Sequence, residues 1–167
     1  MRVGEAIALD RYDFDAANGV LLIRRAKFDQ TRAVPLHPTT AAAVHRYVAR
    51  VDGECAERAT PALFVSTAGT RLLYCNVQWT FRRLACQAGL VPRTARCRPR
   101  IHDLRLAFAV STLLDACRNG SEAQCLTPLS TYLGYVDPAA SYWYLSAAPE
   151  LLALAAERLE QHQGAER

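Results

Sequence analysis

Ile101-His102-Asp103-Leu104-Arg105 is followed by Tyr132-Leu133-Gly134-Tyr135 and, nine residues beyond Tyr135, by Tyr144 inside Ser141-Tyr142-Trp143-Tyr144-Leu145. In that order the chain carries an imidazole able to take or give a proton, a guanidinium, and a phenol oxygen. These parts suffice to cut a phosphodiester without a metal: a clamp on the phosphate oxygens, a proton-transfer group and a nucleophile. The segment from His102 to about Cys117 is apolar at Leu104, Phe108, Leu113 and Leu114, which predicts a largely buried helix. His102 and Arg105, three apart, are expected to project from one face of its first turn. Taken singly, His102 reads equally well as a capping or core histidine.

Downstream, Gly120 interrupts the chain, a short helix is expected over about 128–133, and Gly134 ends it. Asp137-Pro138 has the form of an N-cap followed by proline at the first helical position, opening a helix that carries Tyr144. Tyr142 and Tyr144 lie about 200° apart on such a helix, so only one of them can face a given phosphate. After Pro149, Leu151, Leu152, Leu154, Ala155 and Leu159 form an apolar stripe that folds back on the core or docks on another subunit. Upstream, residues 91–100 hold two prolines and four arginines and read as a loop facing a ligand. A helix over about 76–88, capped by Gly89, turns Val77, Phe81, Leu84 and Ala85 inward. Another helix opens at Pro38-Thr39-Thr40 and runs to about Val51, with Ala41, Val44, Tyr47 and Val48 on one face. Val20–Ile23 and Arg32-Ala33-Val34-Pro35-Leu36 pair as a β-hairpin with Lys27 near its turn, and Arg2–Leu9 reads as the end of a helix.

Composition narrows the function classes. With 167 residues, 51% of them hydrophobic, the chain suits one ordinary domain with its own core. No stretch approaches the ~20 apolar residues of a membrane span, and the expected location is the cytoplasm. Cysteines 55, 75, 86, 97, 117 and 125 include no Cys-x-x-Cys pair, so reduced, mostly packed thiols are expected rather than a zinc site or disulfide scaffold. The net charge of +4 is unevenly placed: Phe81–Arg105 holds seven arginines and one acid, Asp103, which suits either a polyanion or a solvated surface. Nineteen of the 20 basic residues are arginine and Lys27 is the only lysine, the one basic side chain that releases its proton at accessible pH.

Taken together, Arg2-Val3-Gly4-Glu5-Ala6-Ile7-Ala8-Leu9, Lys27 ahead of Thr31-Arg32-Ala33-Val34-Pro35-Leu36, His102-Asp103-Leu104-Arg105, Leu133-Gly134-Tyr135 and Tyr144 resemble the catalytic domain of the tyrosine recombinases, the phage integrase family. The resemblance implies an α+β fold, mostly helical with a small antiparallel β-hairpin or sheet near the N-terminus. It also implies one catalytic domain over residues 1–167, with the family's core-binding domain and first catalytic helices absent. Arg2 and Arg105 would hold the scissile phosphate, Lys27 would protonate the leaving 5′ oxygen, His102 would act as acid or base, and Tyr144 would attack phosphorus. Tyr135 stands where the family usually has histidine; its O–H can donate to a phosphate oxygen but cannot relay a proton at neutral pH. The implied partners are double-stranded DNA and three further copies in a tetramer on it, with no metal, other cofactor, small-molecule substrate or membrane. Beginning at the first of these arginines, the 167 residues alone are expected to bind DNA weakly.

Overall fold

The computed structural model describes residues 1–24, 31–54, 60–92, 94, 97–134 and 153. The chain divides into two compact units, Met1–Ile101 and a second that begins at His102. In the first unit a short helix α1 (Val3–Ala8) and a 3-10 turn (Arg11–Asp13) lead into strands β1 (Phe14–Asp15), β2 (Val20–Ile23) and β3 (Arg32–Pro35), then helices α2 (Pro38–Glu54) and α3 (Tyr74–Gln87). The second unit is built on α4 (Ile101–Arg118) and α5 (Glu122–Leu133). This is the expected α+β architecture, mostly helical with a small antiparallel sheet near the N-terminus.

The strands form one antiparallel sheet in the order β1-β2-β3. Along β2 the pleat buries Leu21 and Ile23 and leaves Val20 and Leu22 half-covered. Leu21 pairs with Val34 of β3, also buried, so the apolar alternation sets the register of the hairpin. Pro35, opposite Val20, is tolerated because β3 is an edge strand, where a missing N–H removes no inner ladder bond. Lys27 lies outside the described residues, so its expected place in the hairpin turn does too. Around the sheet, Leu9, Val51, Ala62, Leu63 and Ala85 complete the core of this unit. The Tyr47 hydroxyl accepts a hydrogen bond from the Val65 backbone N–H at 3.0 Å, and the Tyr47 ring lies 5.5 Å from that of Phe64, which joins α2 to the segment before Gly69. At Gly69, φ is 72°, a left-handed turn that folds Arg71 back to bridge Val65.

In the second unit Ala109, Leu113, Leu129 and Leu133 form the core. Several sequence expectations need correction here. Helix α5 begins at Glu122, six residues before the expected start, and runs through Pro128. Proline removes one internal hydrogen bond, but the burial of Leu129 and Leu133 just beyond it supplies the compensating packing. Helix α4 is not buried all round: Leu104 and Phe108 are 59% and 47% exposed, and the covered stripe is Arg105, Ala109, Leu113 and Ala116. Leu84 of α3 is likewise exposed. Nor are the thiols mostly packed, since Cys75, Cys86 and Cys97 are exposed. The helices expected to carry Tyr144 and to follow Pro149 lie outside the described residues. None of the described helices is long and apolar enough to cross a membrane.

Helix α1 has only six residues and buries none of them, so neither nucleation nor apolar packing accounts for it. Contrary to expectation, Arg2 stands at its start, as the N-cap, rather than within the end of a helix. The Glu5 carboxylate accepts the Arg2 backbone N–H at 2.7 Å and its Nη1 at 3.1 Å, together with Arg32 Nη2 at 2.8 Å and Nη1 at 3.3 Å from β3. Burial by itself pushes the Glu5 carboxyl up; the Arg32 hydrogen bonds, the Arg2 N–H and both positive charges outweigh it and hold the group below its usual range.

Two stability predictions follow from these contacts. Leu113→Ala, at a fully buried site, should lower unfolding free energy by about 2–5 kcal/mol in urea titrations followed by far-UV circular dichroism. Glu5→Gln should cost about 1–3 kcal/mol at neutral pH. A depressed carboxyl contributes stability above its unfolded-state value, near 4.3, and loses it as pH falls through the lower folded-state value, so the gap to wild type should narrow progressively as pH falls below the unfolded-state value. A gap that stayed constant as the solution is acidified would remove the ionic account of α1.

Candidate active site

Two groups of the expected residues are described, one in each unit. In the first, Arg2 extends from the N-cap of α1 with its side chain 32% exposed, while the Glu5 carboxylate on which it rests is only 9% exposed. Glu5 therefore grips one edge of the guanidinium and leaves part of it at the surface. Such an arrangement suits a planar donor meant to meet an anion: one side is oriented by a carboxylate and the rest remains in water's reach.

The far end of α1 is held as tightly as its start. Arg71 donates from Nη1 to the carbonyls of Ile7 and Leu9, at 2.7 and 3.2 Å, and from Nη2 to the Asp10 carboxylate. Helix C-termini leave carbonyls without intrahelical partners, and a guanidinium satisfies them while matching the negative end of the helix dipole. The Arg71 hydrogen bond also holds the Asp10 carboxyl below its usual range, with Tyr12 O–H adding to it. Arg2 thus sits on a helix clamped by an ion pair at each end.

In the second unit His102 is the second residue of α4 and exposed, whereas Arg105, one turn later, is 7% exposed. Arg105 donates from Nη2 to the Leu133 carbonyl at 2.6 Å. Leu133 ends α5, and Gly134 follows with φ 74° and ψ 45°, the left-handed cap that lets the chain leave the helix while its N–H returns to the Ser130 and Thr131 carbonyls. Arg105 consequently joins the first turn of α4 to the last turn of α5. Lys27, Tyr135 and Tyr144 lie outside the described residues.

Reading along the chain missed Arg32 and Arg71 as supports. Arg32 lies inside the Thr31–Leu36 motif, which by itself assigns it no partner, and Arg2 and Glu5 are spaced like any pair three apart on a helix. The missing information is long-range: Arg32 reaches Glu5 across 27 residues and Arg71 reaches Ile7 across 64. The hairpin pattern, which sends Arg32 back alongside Ile23, was the one available hint.

The geometry agrees with what comparison finds. Residues 1–145 match the Phage integrase family. A protein of Sinorhizobium fredii (strain NBRC 101917 / NGR234) whose name describes it as an integrase/recombinase, y4rB, is 42% identical over 165 residues, covering 96% of this chain and 52% of its own. Among solved structures, XerA recombinase matches with a TM-score of 0.73 and 25% identity over 96% of this chain and 51% of its own. XerH site-specific recombinase, in its pre-cleavage complex with difH substrate, matches with a TM-score of 0.67 and 25% identity over 93% of this chain and 42% of its own. The chain spans about half the length of the relatives it matches. A family match that runs from Met1 through the Tyr144 segment, on a fold shared with XerA, makes the chain a member of the phage integrase family, the tyrosine recombinases.

Proposed function

We propose that residues 1–167 are the catalytic domain of a site-specific recombinase that breaks and rejoins double-stranded DNA through a 3′-phosphotyrosyl intermediate. It would act as one of four copies assembled on DNA in the cytoplasm. The observation that carries this reading is the Arg105–Leu133 hydrogen bond. It ties the His-x-x-Arg helix to the residue two before Tyr135, so a buried guanidinium is held beside the segment that leads toward the nucleophile. Arg2, oriented by Glu5, supplies the second fork.

In the proposed reaction the Tyr144 oxygen attacks phosphorus while the bond to the 5′ oxygen breaks. Lys27 passes its proton to that leaving oxygen, a task arginine cannot perform. Arg2 and Arg105 balance the charge that builds on the nonbridging oxygens, and Tyr135 donates its O–H to one of them. A phenol has pKa ~10, so the surrounding cations serve a second purpose in favouring the Tyr144 phenolate. His102 moves the phenol proton. In the second half the 5′ hydroxyl of a partner strand attacks the phosphotyrosine, Tyr144 leaves and is reprotonated, and the hydroxyl proton returns to Lys27. The phosphodiester energy is kept in the covalent link, so rejoining needs no ATP. Taken by themselves, these 167 residues would bind DNA weakly and with steep salt dependence, because a single domain neutralises few phosphates.

A non-catalytic DNA-binding or subunit-docking module is the rival reading, favoured by Tyr135 in the place where the family usually carries histidine. A duplex nicked near the cleavage site separates the two. The enzyme traps a covalent DNA adduct, resolved on a denaturing gel, that vanishes in Tyr144→Phe, whereas a module leaves the duplex intact. Lys27→Arg should keep DNA affinity in gel-shift titrations and slow cleavage roughly 10²–10⁴-fold, the usual share of a general acid. A wild-type rate in that variant would remove Lys27 from the proton transfer.

A further inference from the structure

The first unit contains a cavity of about 580 Å³ that none of the described catalytic candidates, Arg2, His102 and Arg105, lines. One wall is a face of α3, where Gln78, Phe81, Arg82, Ala85 and Cys86 follow the helical three- and four-residue spacing. The opposite wall is the chain after Gly89, contributing Leu90, Val91 and Pro92, then Thr94, Arg98, Pro99 and Arg100. The volume lies in the range of small-molecule sites.

Its chemistry is divided. Phe81, Ala85, Leu90 and Val91 present carbon, and two prolines stiffen the second wall by fixing φ. Against this stand three arginines, Arg82, Arg98 and Arg100, and among the described residues the lining includes no acid. Leu90 and Val91 are 53% and 81% exposed, so the apolar wall is open to solvent rather than filled by the fold. A purely polyanionic ligand would gain nothing from this carbon surface, and an uncharged one would leave the guanidinium groups unused. Burying an apolar body while pairing an anionic head with a guanidinium fork satisfies both halves.

We propose that this cavity, between α3 and the wall formed by Leu90, Val91, Pro92 and Arg98–Arg100, binds a small amphipathic carboxylate, its head on Arg82 and Arg98 and its apolar body against Phe81, Ala85 and Leu90. The inference rests on the cavity alone and stands whether or not the chain recombines DNA. If it does bind DNA, occupancy would withdraw arginines from the basic Phe81–Arg105 stretch and weaken that binding.

Cys86, an exposed thiol in the lining, reports occupancy directly. Alkylation by iodoacetamide is followed at Cys86 by peptide mass spectrometry, with exposed Cys75, outside the lining, as internal control. Decanoate below its micelle threshold should slow reaction at Cys86 and leave Cys75 unchanged. Decanol and inorganic phosphate, each offering half of the chemistry, should protect far less. The Arg82→Gln, Arg98→Gln double variant changes only exposed side chains, and its apparent decanoate affinity should fall at least about tenfold, as expected for lost charge-assisted hydrogen bonds. Absence of protection, equal protection by decanol, or undiminished protection in the double variant would overturn the proposal. Protection by a DNA duplex with none by decanoate would overturn it too, assigning the cavity to nucleic acid.

Discussion

One part-buried carboxylate, Glu5, determines where Arg2 can be. A charge with so little exposure is tolerated only if donors surround it, and four hydrogen bonds from Arg2 and Arg32 do so. The consequence reaches beyond one ion pair. Helix α1 is too short to persist alone and has no buried residue, so it exists because charged groups from β3 and from Arg71 hold its two ends. The Arg2 guanidinium is thereby attached, through Glu5 and Arg32, to the edge strand of a small sheet.

The second unit reaches a similar end by different means. Its helices are joined by a conventional apolar core, Ala109 and Leu113 against Leu129 and Leu133. Arg105 lies on the same stripe of α4, one turn before Ala109, and is drawn to the C-terminal carbonyl of α5. A helix end offers partial negative charge that a buried guanidinium can use in place of a carboxylate. Arg105 is thereby held by a main-chain carbonyl, which joins the first turn of α4 to the end of α5.

Much of this was legible locally. Pro38 and Gly89 marked helix ends, the β2 and β3 alternation announced the hairpin, and the His-x-x-Arg, Leu-Gly-Tyr and Tyr144 order identified the family. Errors arose where a local rule met a non-local force. Pro128 looked like a helix start because proline prefers the first turn, yet packing by Leu129 and Leu133 carries α5 through it. Leu104 and Phe108 looked like core because apolar side chains usually are, but α4 is apolar on more faces than it has partners to cover among the described residues. In the arginine-rich 91–100 segment, the described residues Val91, Pro92, Thr94, Arg98, Pro99 and Arg100 lie outside helix and strand, as expected, and line one wall of a cavity.

By itself the sequence determined the family, the mixed helical and antiparallel architecture, and which side chain types are available for phosphate chemistry, because each is written in neighbouring residues and their spacing. The tertiary structure alone decided which arginines act as supports. Arg32 and Arg71 meet their partners across 27 and 64 residues, and such meetings depend on how strands and turns return the chain to itself. The same holds for Arg105: its residue type was plain, but its burial and its grip on Leu133 exist only once two helices share a core.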